Sequence, residues 1–206
     1  YDGAMSRIEP LTPDRLSTEQ RRLYDALLGG RRAQAASTAG RAGGLTDERG
    51  ALIGPFNAWL LSPAIGDRIQ GLGEAIRFSS SLPSNALEVA ILVVARDWRA
   101  RFEWWAHARL ARRAGVAAEV IAAIEAGREP EFSDAGEETA HRFARELLAR
   151  RRVSDETYGA ASERFGESGV VELVTLLGYY TLVSMTLNVF QVPLPPGQTA
   201  PFPEEA

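Results

Sequence analysis

The sequence predicts an all-α protein, built as an orthogonal or antiparallel helical bundle. Apolar residues recur with helical spacing along almost the whole chain, and no segment alternates convincingly between apolar and polar residues as a half-buried strand does. Short turns rich in Gly, Pro and Ser separate these segments, which is typical of paired antiparallel helices. Hydrophobic residues make up 45% of the 206, enough for a sizeable core.

The first predicted helix covers residues 11–28, with Pro13 near its start and two glycines after its end. Residues 29–50 are rich in Gly, Ala, Ser and Arg, so we expect a mobile loop, either an active-site cover or a disordered surface segment. Ser168 begins a long final helix. The helices predicted between these segments cover residues 55–61, 64–78, 84 or 85 to 98, 100–114, 117–126, 134–152 and 154–165.

The chain length suits one domain with extended ends, and we assign that domain to residues 5–192. Residues 1–4 precede Met5 and are expected to be a tag remnant. Residues 193–206 contain five prolines, which predict an extended tail able to lie across a neighbouring subunit.

Composition excludes several classes of function. The net charge of -4 argues against nucleic acid as a partner, because phosphate binding needs a cationic surface. Cysteine is absent, which excludes disulfides, thiol redox chemistry and cysteine-ligated zinc. The longest apolar stretch, residues 170–192, is interrupted by Glu172 and predicts a buried helix, not a membrane span. Without a secretory signal at the start, the expected compartment is the cytoplasm.

Two ionisable residues lie on the apolar face of the helix predicted over residues 100–114. With Glu103 at 0° and about 100° per residue, His107 falls near 40° and Leu110 near 340°. The arginines of this helix fall between about 160° and 280°. An acid and an imidazole that face a core are costly unless they pair or line a cavity. At a spacing of i, i+4 they can interact, which suits a general acid or base; a pair that serves packing alone is the alternative.

Glu88 is the only acid in the apolar stretch of residues 87–95, which predicts a buried helix. One interpretation is structural, because Asn85 and Glu88 have the spacing of a capping box, in which the glutamate bonds to the N-cap amide. The other is a proton donor or acceptor that faces Glu103 and His107.

The other histidine and the two adjacent tryptophans give weaker evidence of a functional role. His141 follows Glu137 and Glu138 on a charged helix, so we expect it at the surface. Trp104 lies beside the face of Glu103 and is a candidate wall of a substrate pocket, with plain packing as the alternative. Trp105 falls among the arginines and is a candidate subunit contact.

Five segments together resemble the carboxymuconolactone decarboxylase and alkyl hydroperoxidase D-like families. Their order and spacing agree over about a quarter of the chain. The segments are residues 54–63 (GPFNAWLLSP), 82–83 (LP), 87–96 (LEVAILVVAR), 102–107 (FEWWAH) and 114–116 (AGV).

The resemblance also assigns roles to residues. Peroxidase members carry a glutamate followed by a Cys-x-x-Cys-x-x-x-His motif, and the separation of Glu88 from His107 matches that spacing, at 19 residues. Ala100 and Glu103 occupy the two cysteine positions, so thiol peroxidase activity is excluded. Decarboxylase-like members have the Glu-Trp-x-x-His form that this chain carries.

The resemblance therefore implies a cofactor-independent lyase or isomerase that acts on a small carboxylated or lactone substrate. Glu88, Glu103 and His107 would transfer protons, and Phe56 and Trp59 would wall the pocket. It further implies a homo-oligomer, a trimer or hexamer. The alternatives are a metal-dependent enzyme, since two carboxylates and a histidine can hold Mn, Fe or Zn, and a non-catalytic family member.

The sequence makes one geometric prediction that separates catalysis from capping. If the three residues form a relay, Glu88, Glu103 and His107 converge on one internal cavity. If Glu88 caps its helix, its carboxylate bonds to the amide at Asn85 and lies more than about 6 Å from His107. Beyond that distance two charged groups no longer couple closely.

Overall fold

The fold class predicted from the sequence is confirmed: a computed structural model is all-helical, with 68% of residues in helices. The structure describes residues 6–31, 33–34 and 44–202, and within them an isolated bridge between Thr46 and Leu52 is the only β-type pairing. After a 3-10 turn at Pro13–Arg15, the helices are α1 (Thr18–Gly29), α2 (Phe56–Leu60), α3 (Pro63–Ser79), α4 (Ser84–Asp97), α5 (Arg101–Arg113), α6 (Ala118–Ala126), α7 (Ala135–Arg150) and α8 (Asp155–Val189).

Contacts divide the chain into two compact units, which we describe one at a time. The first unit comprises residues 1–79 and 186–193 and contains α1, α2 and α3. Leu23 and Leu27 of α1 are almost fully buried there, and α1 packs against α3. The Tyr24 hydroxyl donates to the Gly50 carbonyl at 2.7 Å, which fixes the end of the loop predicted over residues 29–50. Residues 32 and 35–43 of that loop lie outside the described residues, and its predicted mobility stays a prediction.

The predicted start of the first helix, at residue 11, is wrong. Ser17 is the N-cap: its hydroxyl accepts from the Gln20 amide, and the Gln20 side chain accepts from the Ser17 amide. This reciprocal pair satisfies two amides that a helix terminus leaves without partners. Pro13 instead belongs to the separate 3-10 turn that precedes the cap.

The second unit comprises residues 80–185 and 194–206 and holds α4 at its centre. Every residue of α4 from Ala86 to Ala95 is buried, as its continuous apolar sequence predicts. A helix that is apolar all round needs neighbours on several sides, and α4 packs against α5, α6 and α7. Gly127 ends α6 in the left-handed conformation, with a φ of 70°, as the predicted stop at this glycine requires.

The structure contradicts the predicted cap of α4. Its N-cap is Pro83, and no side chain caps the helix. Pro83 has no amide hydrogen to donate, so a capping box cannot form there. Asn85 turns away and donates through Nδ2 to Glu137 Oε1 at 3.0 Å, which ties α4 to α7.

The expectation that His141 lies at the surface is also wrong. His141 is 2% exposed on α7, where its ring packs against Phe132 with centroids 5.2 Å apart. Its Nδ1 lies 3.7 Å from Glu129 Oε1, too far for a strong hydrogen bond. Burial therefore dominates and lowers the pKa of His141 to about 4.

Gly166 interrupts α8 with a φ of 72°, a left-handed conformation that glycine adopts without strain. The break separates the two helices predicted to end at residue 165 and to begin at Ser168. α8 is also long and apolar enough to cross a membrane by length and composition, but half of its most apolar window is buried inside the protein. Core helices of soluble proteins meet the same criterion.

The burial of His141 predicts a loss of stability in acid. Its folded pKa, about 4, lies below the unfolded value of 6.5, so the stabilisation is complete above pH 6.5 and is lost as the pH falls towards 4. Relative to wild type, the free energy of unfolding of His141→Leu should rise by up to about 1 kcal/mol for each unit by which the pH falls across this window. Urea unfolding of both proteins between pH 7 and pH 4.5 measures the difference. A difference independent of pH would contradict a neutral, buried His141.

Candidate active site

The buried helix α4 carries Glu88 into the interior of the second unit. Glu88 is 4% exposed and is surrounded on its own helix by apolar residues. A carboxylate in such surroundings loses its hydration and has to find hydrogen-bond donors inside the protein. Its position on α4 thus predicts a specific partner on a neighbouring helix.

The helix α5 supplies that partner from its inward face. Glu103 and His107 are 4% and 7% exposed, whereas Arg109, Arg112 and Arg113 lie on other faces that are largely exposed. Apolar neighbours Phe102 and Ala111 share the buried side. The helical-wheel argument from the sequence therefore places both residues correctly.

The structure brings Glu88, Glu103 and His107 into one chain of hydrogen bonds. His107 Nδ1 lies 2.6 Å from Glu88 Oε2, and His107 Nε2 lies 2.9 Å from Glu103 Oε1. Both distances are those of strong, charge-assisted bonds. Glu88 is thus bonded to His107 across 19 residues of sequence, and the capping alternative is wrong.

The two carboxylates determine the protonation of the imidazole between them. Burial by itself lowers the pKa of His107, because the imidazolium loses water. The charges and hydrogen bonds of Glu88 and Glu103 act in the opposite direction and prevail, so the pKa of His107 is raised above its ordinary 6.5. A protonated ring donates from both nitrogens, which matches the two acceptors that it faces.

Tyr180 of α8 is a neighbour of this cluster that the sequence analysis did not single out. Its ring meets the His107 ring edge-on, with centroids 5.0 Å apart and planes at 79°. Tyr180 is 2% exposed, and Tyr179 packs against it at 5.2 Å. This contact restricts rotation of the imidazole. In the sequence, a tyrosine pair in an apolar helix has only the signal of core packing.

Trp104, predicted to line a pocket, is 4% exposed and contacts the C-terminal tail. The Phe202 ring meets it edge-on at 5.1 Å, and Phe202 is itself 5% exposed. Trp105 donates through Nε1 to Gln198 Oε1 at 2.8 Å, a second link from α5 to the tail. The tail predicted to be extended therefore packs on its own chain, and its apolar end covers Trp104. A substrate contact of Trp104 stays a prediction.

Phe56 and Trp59, the other predicted pocket walls, belong to the first unit. They pack edge-on against each other on α2, at 5.3 Å and 87°, and both are buried. Trp59 Nε1 is fully buried and has no hydrogen-bond partner among the residues described. Their role as pocket walls, which the family resemblance implies, stays a prediction, as does the internal cavity.

The chemistry of the cluster also bears on the alternative of a metal site. The facing atoms of the two glutamates and both ring nitrogens are engaged with one another. Across residues 6–31, 33–34 and 44–202, no group of three or more His, Asp or Glu side chains is arranged to hold a metal ion. The metal-dependent enzyme stays an alternative prediction.

The raised pKa of His107 predicts a second pH dependence, opposite to that of His141. A folded pKa above 6.5 gives stabilisation that is complete below pH 6.5 and is lost as the pH rises through the folded value. His107→Gln should lower the free energy of unfolding by about 3–5 kcal/mol in the acidic range, since it leaves two buried carboxylates without a cation. At alkaline pH the loss should be smaller. Urea unfolding from pH 5.5 to 9 tests this, with His141→Gln as control. A cost that grows with pH would contradict the arrangement.

A comparison with protein-family models and with curated proteins gives no match to this chain. The geometry of Glu88, His107 and Glu103 therefore carries the functional argument.

Proposed function

We propose that the chain is a cofactor-independent lyase or isomerase that transfers protons at a carbon atom of a small carboxylated or lactone substrate. The observation that supports this most is the buried chain of hydrogen bonds from Glu88 through His107 to Glu103. Three ionisable groups in an apolar interior cost stability, and a set held at 2.6 Å and 2.9 Å is suited to moving a proton between its members.

The two carboxylates at the ends of this chain of hydrogen bonds differ in their contacts. Glu103 uses one oxygen on His107, and its second oxygen accepts no hydrogen bond from the described residues. In the proposal, this second oxygen is the one that meets a reactant. Glu88 has a further interaction besides His107. In the proposal, Glu103 is therefore the catalytic residue that contacts substrate, while His107 and Glu88 supply and store its proton.

The reaction balances with these groups alone. In a substrate whose carboxylate sits on the carbon next to a carbonyl, or conjugated with it, the C–C bond to CO₂ breaks and its electron pair moves onto the carbonyl oxygen as an enolate. The proton of His107 Nε2 passes to Glu103, which delivers it to carbon. His107 then takes up a proton from solvent, so that one proton is consumed for each CO₂ released. In an isomerisation the same carboxylate removes a proton next to a carbonyl and returns it at another position.

Cationic side chains near the start of α5 favour an anionic substrate. Arg96 and Arg99 lie over the Phe202 ring, 5.6 Å and 5.9 Å from its centroid, and Arg101 donates to the Phe202 carbonyl at 3.4 Å. An imidazolium between two carboxylates has a net charge of -1, which would repel a carboxylated substrate. In the proposal, these three guanidinium groups attract an anionic substrate towards this end of α5 through their long-range field.

The resemblance to carboxymuconolactone decarboxylases supports the same class of reaction, through the Glu-Trp-x-x-His segment that carries Glu103 and His107. The proposal extends to a cytoplasmic homo-oligomer. Stoichiometric metal whose removal abolishes activity would instead favour the metal-dependent alternative. A protein that turns over none of the substrate class would favour a non-catalytic member.

Glu103→Gln should lower kcat by about 10²–10⁴-fold, because the amide keeps the shape of the side chain but cannot carry the proton. The assay incubates the full chain in D₂O with a panel of γ-lactone carboxylic acids and β-keto acids. It follows CO₂ release, which reports decarboxylation, and deuterium incorporation without CO₂ loss, which reports isomerisation.

Glu137→Gln is the matched control. Glu137 is a buried carboxylate of the same unit that bonds to Asn85 and not to His107, so the identical change should leave kcat within about twofold, since an amide oxygen can still accept that bond. Circular dichroism verifies the fold of both variants. Wild-type activity in Glu103→Gln, or equal losses in both variants, would contradict the proposed role of Glu103.

A further inference from the structure

One face of α8 exposes apolar side chains over about four turns. Val171 is 65% exposed, Val174 47%, Leu182 37% and Met185 44%, with Gly178 in the middle of the series. Successive members are three or four residues apart, which places them on one side of the helix. The other side is in the core and carries Leu173, Leu176, Leu177, Tyr180 and Val183.

This face carries no charge. Glu172 is the only charged side chain between Val171 and Met185, and it is directed away to the turn before α4. Its Oε2 accepts from the Ser80 hydroxyl and from the Ser81 amide, both at 2.8 Å. A continuous apolar stripe without charges on the surface of a folded chain indicates a site of interaction.

The stripe is symmetric about Gly178. Residues of the same chemical kind lie at equal distances on its two sides, so an antiparallel copy of the helix would place each against its counterpart. The pairs are Val171 with Met185, Val174 with Leu182, and Thr175 with Thr181, at seven, four and three residues from Gly178. Apolar groups then meet apolar groups along the centre of the contact. A two-fold contact requires this self-complementarity.

Gly178 itself fits a crossing point. Glycine destabilises a helix interior, yet it lets two backbones approach closely. The position that a Cβ would take at Gly178 has no atom of the described residues within 4 Å, so the space on this side is open. Gly71 of α3 is similarly open, but Arg68 and Glu74 flank it at three residues and no apolar stripe passes through it.

The ends of the stripe are complementary in shape. An open groove of about 490 Å³ lies at its N-terminal end; it is mainly apolar, with one carboxylate, and is lined by Tyr158, Glu167, Val170, Val171, Val174 and Thr175. The symmetry places Met185 of a second copy against Val171, at this groove. Methionine is the side chain best suited to fill an irregular apolar space, and the two-fold axis repeats the insertion at the opposite end.

We propose that this face of α8 binds the same face of a second copy of the chain, antiparallel, with the two-fold axis at Gly178. The resulting unit is a dimer, or the two-fold contact within a hexamer, and it goes beyond the proposed chemistry and does not depend on it. Lipid is the less suitable occupant, because half of the most apolar window of α8 is already buried inside the protein.

A single cysteine tests the axis directly, since the chain contains none. Gly178→Cys should form a disulfide-linked dimer under mild oxidation, because residues on a two-fold axis face themselves. Gly71→Cys, an equally open helix glycine, is the matched control and should remain largely uncrosslinked. Equal crosslinking of the two variants would overturn the proposed axis.

Charge exchange tests the pairing of Val171 with Met185. Sedimentation velocity of the full chain should show a dimer whose dissociation constant rises at least tenfold in Val171→Lys. The monomer should tolerate this lysine, because Glu167 lies one turn earlier on the same helix and can pair with it. Adding Met185→Glu should restore the dimer, since each lysine then meets a glutamate of the second copy. A parallel arrangement would bring like charges together and give no rescue.

Three results overturn the proposal. One is a chain that stays monomeric to high concentration, and another is a dimer that Val171→Lys leaves unchanged, which would place the contact elsewhere. The third is a monomer that floats with phosphatidylcholine vesicles and loses this property in Val171→Lys, which would assign the stripe to lipid. Circular dichroism of the variants separates each result from misfolding.

Discussion

The hydrogen bonds of His107 with two buried carboxylates are the constraint on which the second unit depends. They join α4 to α5 by polar bonds of 2.6 Å and 2.9 Å inside an otherwise apolar core. An apolar interior could repack in many ways, whereas this cluster is stable only when all three groups meet. The adjacent contacts serve the same arrangement, since Tyr180 packs on the imidazole and Asn85 ties α4 to α7.

The same constraint explains why the cluster suits acid–base chemistry. The carboxylates raise the pKa of His107 against the effect of burial, so the imidazolium persists towards neutral pH. His141 shows the contrast, because it is also buried but its carboxylate neighbour, Glu129, lies 3.7 Å away, and its pKa falls to about 4. The close carboxylates of His107 therefore account for the opposite direction of its pKa shift.

Local patterns of the sequence predicted those features whose causes are local. The helical outline follows from periodicity, and the inward orientation of Glu103 and His107 follows from their spacing on one helix. Glu88 was ambiguous because its partner lies 19 residues away, and because the sequence did not show that the helix begins after Pro83 and not after Asn85. The surface position predicted for His141 was wrong because it rested on the acidic residues beside it in the sequence. His141 instead shares the buried side of α7 with Ala140 and Ala144. The edge-on contact between Tyr180 and His107 has no local signal at all, since only tertiary packing creates it.

The claim that His107 is held as an imidazolium between Glu88 and Glu103 can be measured most directly by ¹⁵N NMR of the histidine side chains in the full chain. Only two histidines are present, and His141→Leu assigns them. We expect His107 to titrate with a midpoint above 6.5, with both ring nitrogens protonated at pH 6, where His141 is neutral. A His107 that is neutral at pH 6 and titrates below 6.5 would contradict this arrangement.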